Sequence, residues 1–314
     1  MATSPKTKHA SRIGLAVLLA LFLGLPAYMP SYTVILLTNI LMYVILTLSW
    51  AIFSGPTGYI SLAPAAFFGT GVYASALFSS SLPLPIVTVV GGAASFALAL
   101  LVGSLTLRLK GMYFTMFTFG LVELVRNSVH WWEVNITATV GRIILSADNT
   151  VIFYAMAAIF VAVLLVSHWI NRSRFGLALQ AIGESEEAAA HSGVNVTNVK
   201  TATFAVSAFF MGASGAAMSM RWTYIDPTTA FNIQFSFMPV LMAIFGGTGH
   251  LYAPIAGATV FSLLEEVLTT KFPYYYMLLF GLIMLVVIRF MPHGLEGVIE
   301  KWRTQGKKKS EEAS

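Results

Sequence analysis

The sequence predicts an all-α polytopic membrane protein with about ten transmembrane helices, some short or interrupted, and both termini cytoplasmic. Three observations predict it. Of 314 residues, 57% are hydrophobic and only 10% are charged. Soluble domains carry about 25% charged residues, and a soluble fold of this length cannot hide so much apolar surface. Apolar runs close to the ~20 residues that cross a bilayer recur along the whole chain. Lysine and arginine sort to one side of those runs, as the positive-inside rule requires.

The runs are roughly 13–29, 32–53, 62–80, 84–107, 112–129, 149–170, 201–220, 236–249, 251–270 and 274–291. The first follows Lys6, Lys8 and Arg12 and resembles a secretory signal. It is either cleaved or retained as the first span, and the apolar run that follows at once favours retention. The clearest span is 151–170, which has no formal charge, whereas 62–80, 112–129 and 236–249 are weak or short. With ten spans and the N-terminus inside, Arg108, Lys110, Arg172, Arg174, Lys200, Arg289 and the C-terminal basic residues all fall inside. Arg126, Arg142, Arg221 and Lys271 fall outside or near the outer surface. Nine or eleven spans would carry a basic tail across the membrane. The organisation is a cytoplasmic tail, 1–12, a membrane domain, 13–291, with a cytoplasmic loop at 171–200, and a second cytoplasmic tail, 292–314.

Some function classes are excluded. Cysteine is absent, so no disulfide, thiolate metal site or cysteine nucleophile exists. The net charge of +5 is scattered beside apolar runs and at the ends, and no aromatic-basic interleaving suggests a nucleic-acid partner. There is no GxxxxGK[ST] phosphate loop, no HExxH and no GxSxG. No catalytic residue, metal or cofactor is expected, and energy for any transport must come from a partner.

Three constellations stand out. In the cytoplasmic loop, Glu184, Glu186 and Glu187 suit a helix N-terminus, Ala188, Ala189 and Ala190 favour helix, and Gly193 suits a left-handed stop. A helix of about two turns is unstable alone, so it docks on something, either a partner's groove or its own membrane domain. Next, Ser54, Gly55, Thr57, Gly58 and Ser61 form one interrupted stretch, and Gly246, Gly247, Thr248 and Gly249 form another. Both end an apolar run, and Pro64 and Pro254 follow, so "TGYISLAP" and "TGHLYAP" read as a weak internal repeat. Such breaks either line a pathway, here near its inner gate, or are tight turns between packed spans. Third, Glu123 and Arg126 share one helix face and read as a structural ion pair. Glu265 and Glu266 end a span near Lys271 and read as interfacial, not as a proton relay, and His250 reads as structural.

Several motifs together resemble one family. Glu187-Ala188-Ala189 followed by Gly193 is similar to the "EAA…G" loop of ABC importer permeases. The stretches 54–78, 108–126, 178–216, 241–258 and 290–297 resemble, in order, segments of the branched-chain amino acid ABC transporter permeases, nearest the LivM-type subunit. Urea and amide permeases share the outline. The resemblance implies that 184–193 is a coupling helix seated in a cleft of an ATP-binding subunit. It also implies a second permease subunit and a periplasmic solute-binding protein that meets outer loops such as 224–231. The implied cargo is a small polar solute, with branched-chain or other amino acids first, moved by alternating access in a bacterial inner membrane. An ion-coupled secondary carrier is less favoured, because no paired midplane carboxylates are seen. The chain departs from the family pattern at Ala63 and Pro64, at Met238, and at 137–145, where a glycine run is replaced by "TATVGRIIL". These changes imply either a greasier pathway or a more polar wall in a partner permease, and they weaken the solute assignment but not the class.

Overall fold

Helix starts follow the prolines. In the computed structural model, which describes residues 29–107, 109–144, 146–247 and 249–290, α1 (Ser31–Thr57) begins after Pro30. Helix α2 (Pro64–Phe78) begins on Pro64, and α3 (Leu84–Thr106) follows Pro83 and carries Pro85 in its first turn. Proline suits a first turn because its missing N–H would have no partner there. Helix α4 (Met112–Trp132) follows Gly111 and runs into a π-type turn at 133–137. Helix α5 (Asn149–Arg172) descends to the loop helices α6 (Arg174–Glu184) and α7 (Glu186–His191), and α8 (Val196–Ser219) returns. The short α9 (Pro227–Ala230), α10 (Gln234–Gly246), α11 (Ala253–Lys271) and α12 (Tyr276–Phe290) complete the order.

Among the described residues, five segments are long and apolar enough to cross a membrane: α1, α3, α5, α8 and Pro227–Gly246, which joins α9 to α10. Each overlaps an apolar run identified from the sequence, although Pro227–Gly246 begins nine residues before the run at 236–249. Helix α2, expected at 62–80, has 15 residues, or about 22 Å at 1.5 Å per residue, which is short of the ~30 Å hydrocarbon core. The expected first span at 13–29 (all but Met29), the tails 1–12 and 292–314, most of the 290–297 motif, Arg108 and Thr248 lie outside the described residues.

The core centres on α8, which packs between α2 and α3. Small residues bring these backbones together. A Cβ on Gly71 of α2 would lie 1.9 Å from the carbonyl oxygen of Gly212 in α8, and one on Gly212 would collide with Ser95 of α3. In lipid, where no hydrophobic effect drives helices together, such close approach supplies the packing. Phe204 of α8 then anchors an aromatic cluster, with Phe53 at 5.0 Å and Phe67 at 5.2 Å between ring centroids. Leu101, Leu105, Met112, Leu165 and Trp169 remain exposed on the outside of α3, α4 and α5, an apolar rim suited to lipid.

The described residues between α4 and α5 are more ordered than a plain loop. Strand β1 (Arg142–Ile143) pairs antiparallel with β2 (Tyr224–Ile225). Glu133, fully buried, ties this cap to the bundle. It accepts from Tyr73 Oη at 3.3 Å and from the Gly141 N–H at 3.0 Å, and Arg142 lies 3.9 Å away. Glu133→Leu is expected to loosen the cap, with faster amide exchange at 138–144 and 224–226, while the spans keep their protection. Exchange mass spectrometry in detergent checks this.

Candidate functional site

The short loop helix α7 is built by its caps. Ser185 stands in extended conformation, and its hydroxyl accepts from the Ala188 N–H at 3.3 Å. At the other end Gly193 has φ +85, its N–H bonds to Ala190 O, and the Val194 N–H bonds to Ala189 O. That paired pattern is a Schellman stop. One expectation is corrected. Glu184 does not belong to the N-terminus of this helix but ends α6, because extended Ser185 separates the two. The helix therefore has six residues, about one and a half turns.

Its faces divide cleanly. Ala189 is buried against the chain, whereas Glu187, Ala188, Ala190 and Gly193 are exposed. Glu187 pairs with the exposed Lys110, at 3.8 Å. Glu186 turns inward. It accepts from Lys200 Nζ at 2.6 Å and from Tyr59 Oη at 2.7 Å. Lys200, at the start of α8, is 1% exposed, and its ammonium sits 4.3 Å from the centroid of the Tyr59 ring. One carboxylate thus joins the loop helix, the buried base of α8 and the segment after α1. A charge this deep is tolerated only when paired and hydrogen-bonded.

Burial pushes the Glu186 carboxyl up. The hydrogen bonds from Lys200 and Tyr59, with the charges of Lys200 and Lys110, outweigh it and hold the group below the usual carboxylate range. A lowered folded pKa means the clamp contributes fully above the unfolded value and is lost as pH falls through the folded one. Protection of amides 186–193 is therefore expected to stay constant from neutral pH to about pH 5 and to fall only in stronger acid. Exchange corrected for intrinsic rates reads this, and loss of protection near neutrality would contradict it.

The first glycine stretch adjoins the clamp. Helix α1 runs through Pro56 to Thr57 and stops at Gly58, φ +70. Ser54, Thr57 and Ser61 are buried and Gly55 is half-buried. A Cβ on Gly183 of α6 would lie 2.1 Å from Pro56 O, so α6 crosses the end of α1 backbone to backbone. The irregular segment 58–63 is held by side chains. Thr115 Oγ1 donates to Ile60 O, Trp50 Nε1 donates to Ser61 O, and Thr118 Oγ1 accepts from the Leu62 N–H. Ser236 Oγ donates to Leu62 O and accepts from the Ala65 N–H. Non-helical backbone at membrane depth persists only with such partners.

The second stretch repeats the geometry. Helix α10 stops at Gly246, Gly247 has φ +98, and α11 restarts at Ala253-Pro254. In the first stretch Gly58 is likewise followed by Ala63-Pro64. Gly246 is buried where a Cβ would lie 2.2 Å from Ala253 O, Gly247 is half-buried and Gly249 is exposed. The two stretches meet at a cavity of about 400 Å³, lined by Gly55, Pro56, Asn171, Gln180, Gly249 and Pro254 among others. A second cavity, of about 470 Å³, borders the opposite end of α1 at Asn39 and Tyr43 and reaches Arg221 and Glu265. Tyr43 and Leu48, which border the two cavities, are about 7.5 Å apart along the helix axis. The α1 residues in that interval, Val44, Ile45, Leu46 and Thr47, are buried, as are Met242 and Ala258.

Glu123 and Arg126 form the expected ion pair on the half-exposed side of α4. Glu265 and Glu266 are not at a helix end. They lie more than a turn before Lys271, half-buried and facing α1 and α8, because α11 continues past them. Sequence reading did not single out Tyr59, Trp50, Thr118, Ser236, Glu133 or the role of Lys200. The available signal was polar residues within apolar runs beside a helix break.

The family model described as "Branched-chain amino acid transport system / permease component" matches residues 32–288. The chain is 26% identical to the high-affinity branched-chain amino acid transport system permease protein LivM of Escherichia coli K12, over 90% of this chain and 74% of LivM. It is 25% identical to the ribose import permease protein RbsC of Haemophilus influenzae, over 70% of this chain and 72% of RbsC. It is 27% identical to the fructose import permease protein FrcC of Rhizobium meliloti, over 59% of this chain and 56% of FrcC. No solved structure matches the chain significantly. The matched residues span the described helices from α1 to α11 and most of α12, and the chain belongs to the branched-chain amino acid transport system permease component family.

Proposed function

We propose that this chain is the non-catalytic permease subunit of a bacterial ABC importer, lying in the inner membrane with about ten spans and both termini in the cytoplasm. Two ATP-binding subunits, a second permease subunit of different sequence and a periplasmic solute-binding protein complete the machine. The exposed face of α7, with Glu187, Ala188, Ala190 and Gly193, docks on the ATP-binding subunit, and Glu184 and Glu186 flank it. The glycine stretches, from Ser54 to Ser61 and from Gly246 to Gly249, form the inner gate of the pathway.

The observation that carries this reading is the Glu186 clamp, which ties α7 to α8 and to the first glycine stretch. A push on α7 then reaches the gate through one rigid node rather than through a slack loop. The two cavities at either end of α1, with a buried layer between them, suit an occluded stage of alternating access. The cargo we assign is a small polar solute, an amino acid first, on the likeness to LivM. Urea, amide or sugar carriage would use the same mechanics.

Gly193→Pro and Glu187→Arg test the docking. Proline cannot adopt φ +85 and lacks the N–H that Gly193 gives to Ala190. Arginine reverses the charge on an exposed docking face. Both variants are expected to insert normally and to lose about tenfold or more in ATPase association, read by co-purification, and in ATP-driven uptake into proteoliposomes. Normal assembly and uptake in both would overturn the docking role. Uptake by the chain alone, driven by an ion gradient, would overturn the importer reading.

A further inference from the structure

The elbow where α5 passes into α6 leaves aromatic, aliphatic and basic side chains open together. On α5, Leu165, Trp169 and Arg172 follow one another at helical spacing and share one stripe. Leu165 is 65% and Trp169 66% exposed, and Arg172 is exposed too. Arg172 lies about 4.5 Å beyond Trp169 along the helix axis, the step from an interfacial aromatic belt to the phosphate level. Past Ser173, α6 continues the surface with exposed Arg174 and Phe175 and with Leu177, 67% exposed. The other side of α6, Gly176, Leu179 and Ile182, is buried against the chain. Among the described residues, no carboxylate lies within 4.0 Å of either elbow guanidinium.

Four large apolar side chains around two unpaired arginines match a membrane interface, where acyl chains cover the first and phosphates answer the second. We propose that this elbow beds on the cytoplasmic leaflet and binds an anionic phospholipid. The lipid phosphate sits on Arg172 and Arg174, its acyl chains lie along Leu165 and Trp169, and Phe175 and Leu177 dip between headgroups. Arginine presents a fork that fits a phosphate. A zwitterionic lipid offers the same phosphate, but its own cation cancels the attraction, so the elbow selects net negative charge. The lipid also steadies the coupling loop. Helix α6 crosses the end of α1 where Gly183 meets Pro56 O, and it leads through Ser185 into α7. A lipid held at one end of α6 therefore sets the position from which α7 moves. The coupling role rests on the permease reading, whereas the lipid site rests on the elbow alone.

The test uses the full chain, alone and in the assembled importer, in vesicles of phosphatidylcholine with and without phosphatidylglycerol. The chain has no cysteine, so Leu177→Cys carries its one fluorophore, and nitroxide-bearing lipids act as quenchers. Nitroxide phosphatidylglycerol is expected to quench at a mole fraction about twentyfold below that needed with nitroxide phosphatidylcholine. Arg172→Gln and Arg174→Gln should each reduce that preference about fivefold, the effect of one basic side chain near an anionic surface. Replacing both arginines by lysine should keep most of it, and high salt should weaken it. In the assembled importer, phosphatidylglycerol is expected to raise ATP hydrolysis about fivefold in wild type and not in the double glutamine variant. No quenching by either lipid would overturn the bedding on the leaflet. Equal quenching by the two lipids, or a preference unchanged in the double glutamine variant, would overturn the anionic site. Selective quenching with ATP hydrolysis indifferent to phosphatidylglycerol would overturn the coupling role. Failure of any ATP-binding subunit to assemble with the chain would count instead against the importer reading, and quenching in the chain alone would still decide the lipid site.

Discussion

Glu186→Ala is expected to free α7 from the membrane domain and to lower ATP-driven uptake by about a hundredfold. The substitution leaves Lys200, 1% exposed, as a buried ammonium with the Tyr59 ring as its remaining close partner. Removing one member of a buried pair costs about 3–5 kcal/mol. Because Glu186 keeps some exposure, with 19% of its side chain accessible, the lower end of that range applies. Lys200→Met is milder, about 1–2 kcal/mol, since the carboxylate keeps its bond to Tyr59 and can reach water. Combining Glu186→Gln with Lys200→Met removes both charges and should restore most of the stability but not the uptake, because the node itself is gone. Amide exchange over 186–193 reads the first effect, and uptake with partner ATPases reads the second. A double variant that transports as wild type would show that the clamp stabilises α7 without transmitting motion.

Gly71→Ala is expected to be more damaging to the fold than any substitution in the loop. Its Cβ would sit 1.9 Å from the Gly212 carbonyl oxygen, and the nearest atoms are all backbone. No rotamer change relieves that clash, so α2 must separate from α8. Overpacking costs typically 1–3 kcal/mol and more when backbone must move, so about 3 kcal/mol or more is expected. The outcome is loss of monodisperse protein on size exclusion in mild detergent, with a lowered Tm for what remains. Gly120→Ala provides the control. That position has nothing within 4 Å, and alanine there should change stability by less than about 1 kcal/mol.

The helices were legible because their signal is composition. An apolar run such as 151–170 has few fates other than a span, and α5 covers it. Breaks were legible where glycine or proline marked them, at Gly58, Gly247 and Gly193, and all three take positive φ. The boundary between α6 and α7 was not, because Ser185 acts through an extended backbone and one hydroxyl, which three nearby glutamates obscure. Long-range pairing was the least legible. Nothing in the sequence ties Tyr59 to Glu186, 127 positions away, or Glu133 to Tyr73, 60 positions away. Lys200 reads as one more basic residue of the positive-inside pattern, although the fold buries it. Glu265 and Glu266 read as a helix end because Lys271 follows, and only the continued α11 turns them toward Arg221.

Site-specific cross-linking from α7 tests the central claim most directly. The native chain lacks cysteine, so Ala190→Cys, on the exposed face, carries a photo-reactive group at one place only. In the assembled importer it is expected to join the ATP-binding subunit, with a yield that changes between ATP-bound and nucleotide-free states. The same group at Leu101, on the lipid-facing side of α3, should not. If Ala190→Cys cross-links only to lipid or water-borne quencher while the ATP-binding subunit is captured from another segment, α7 is not the coupling element.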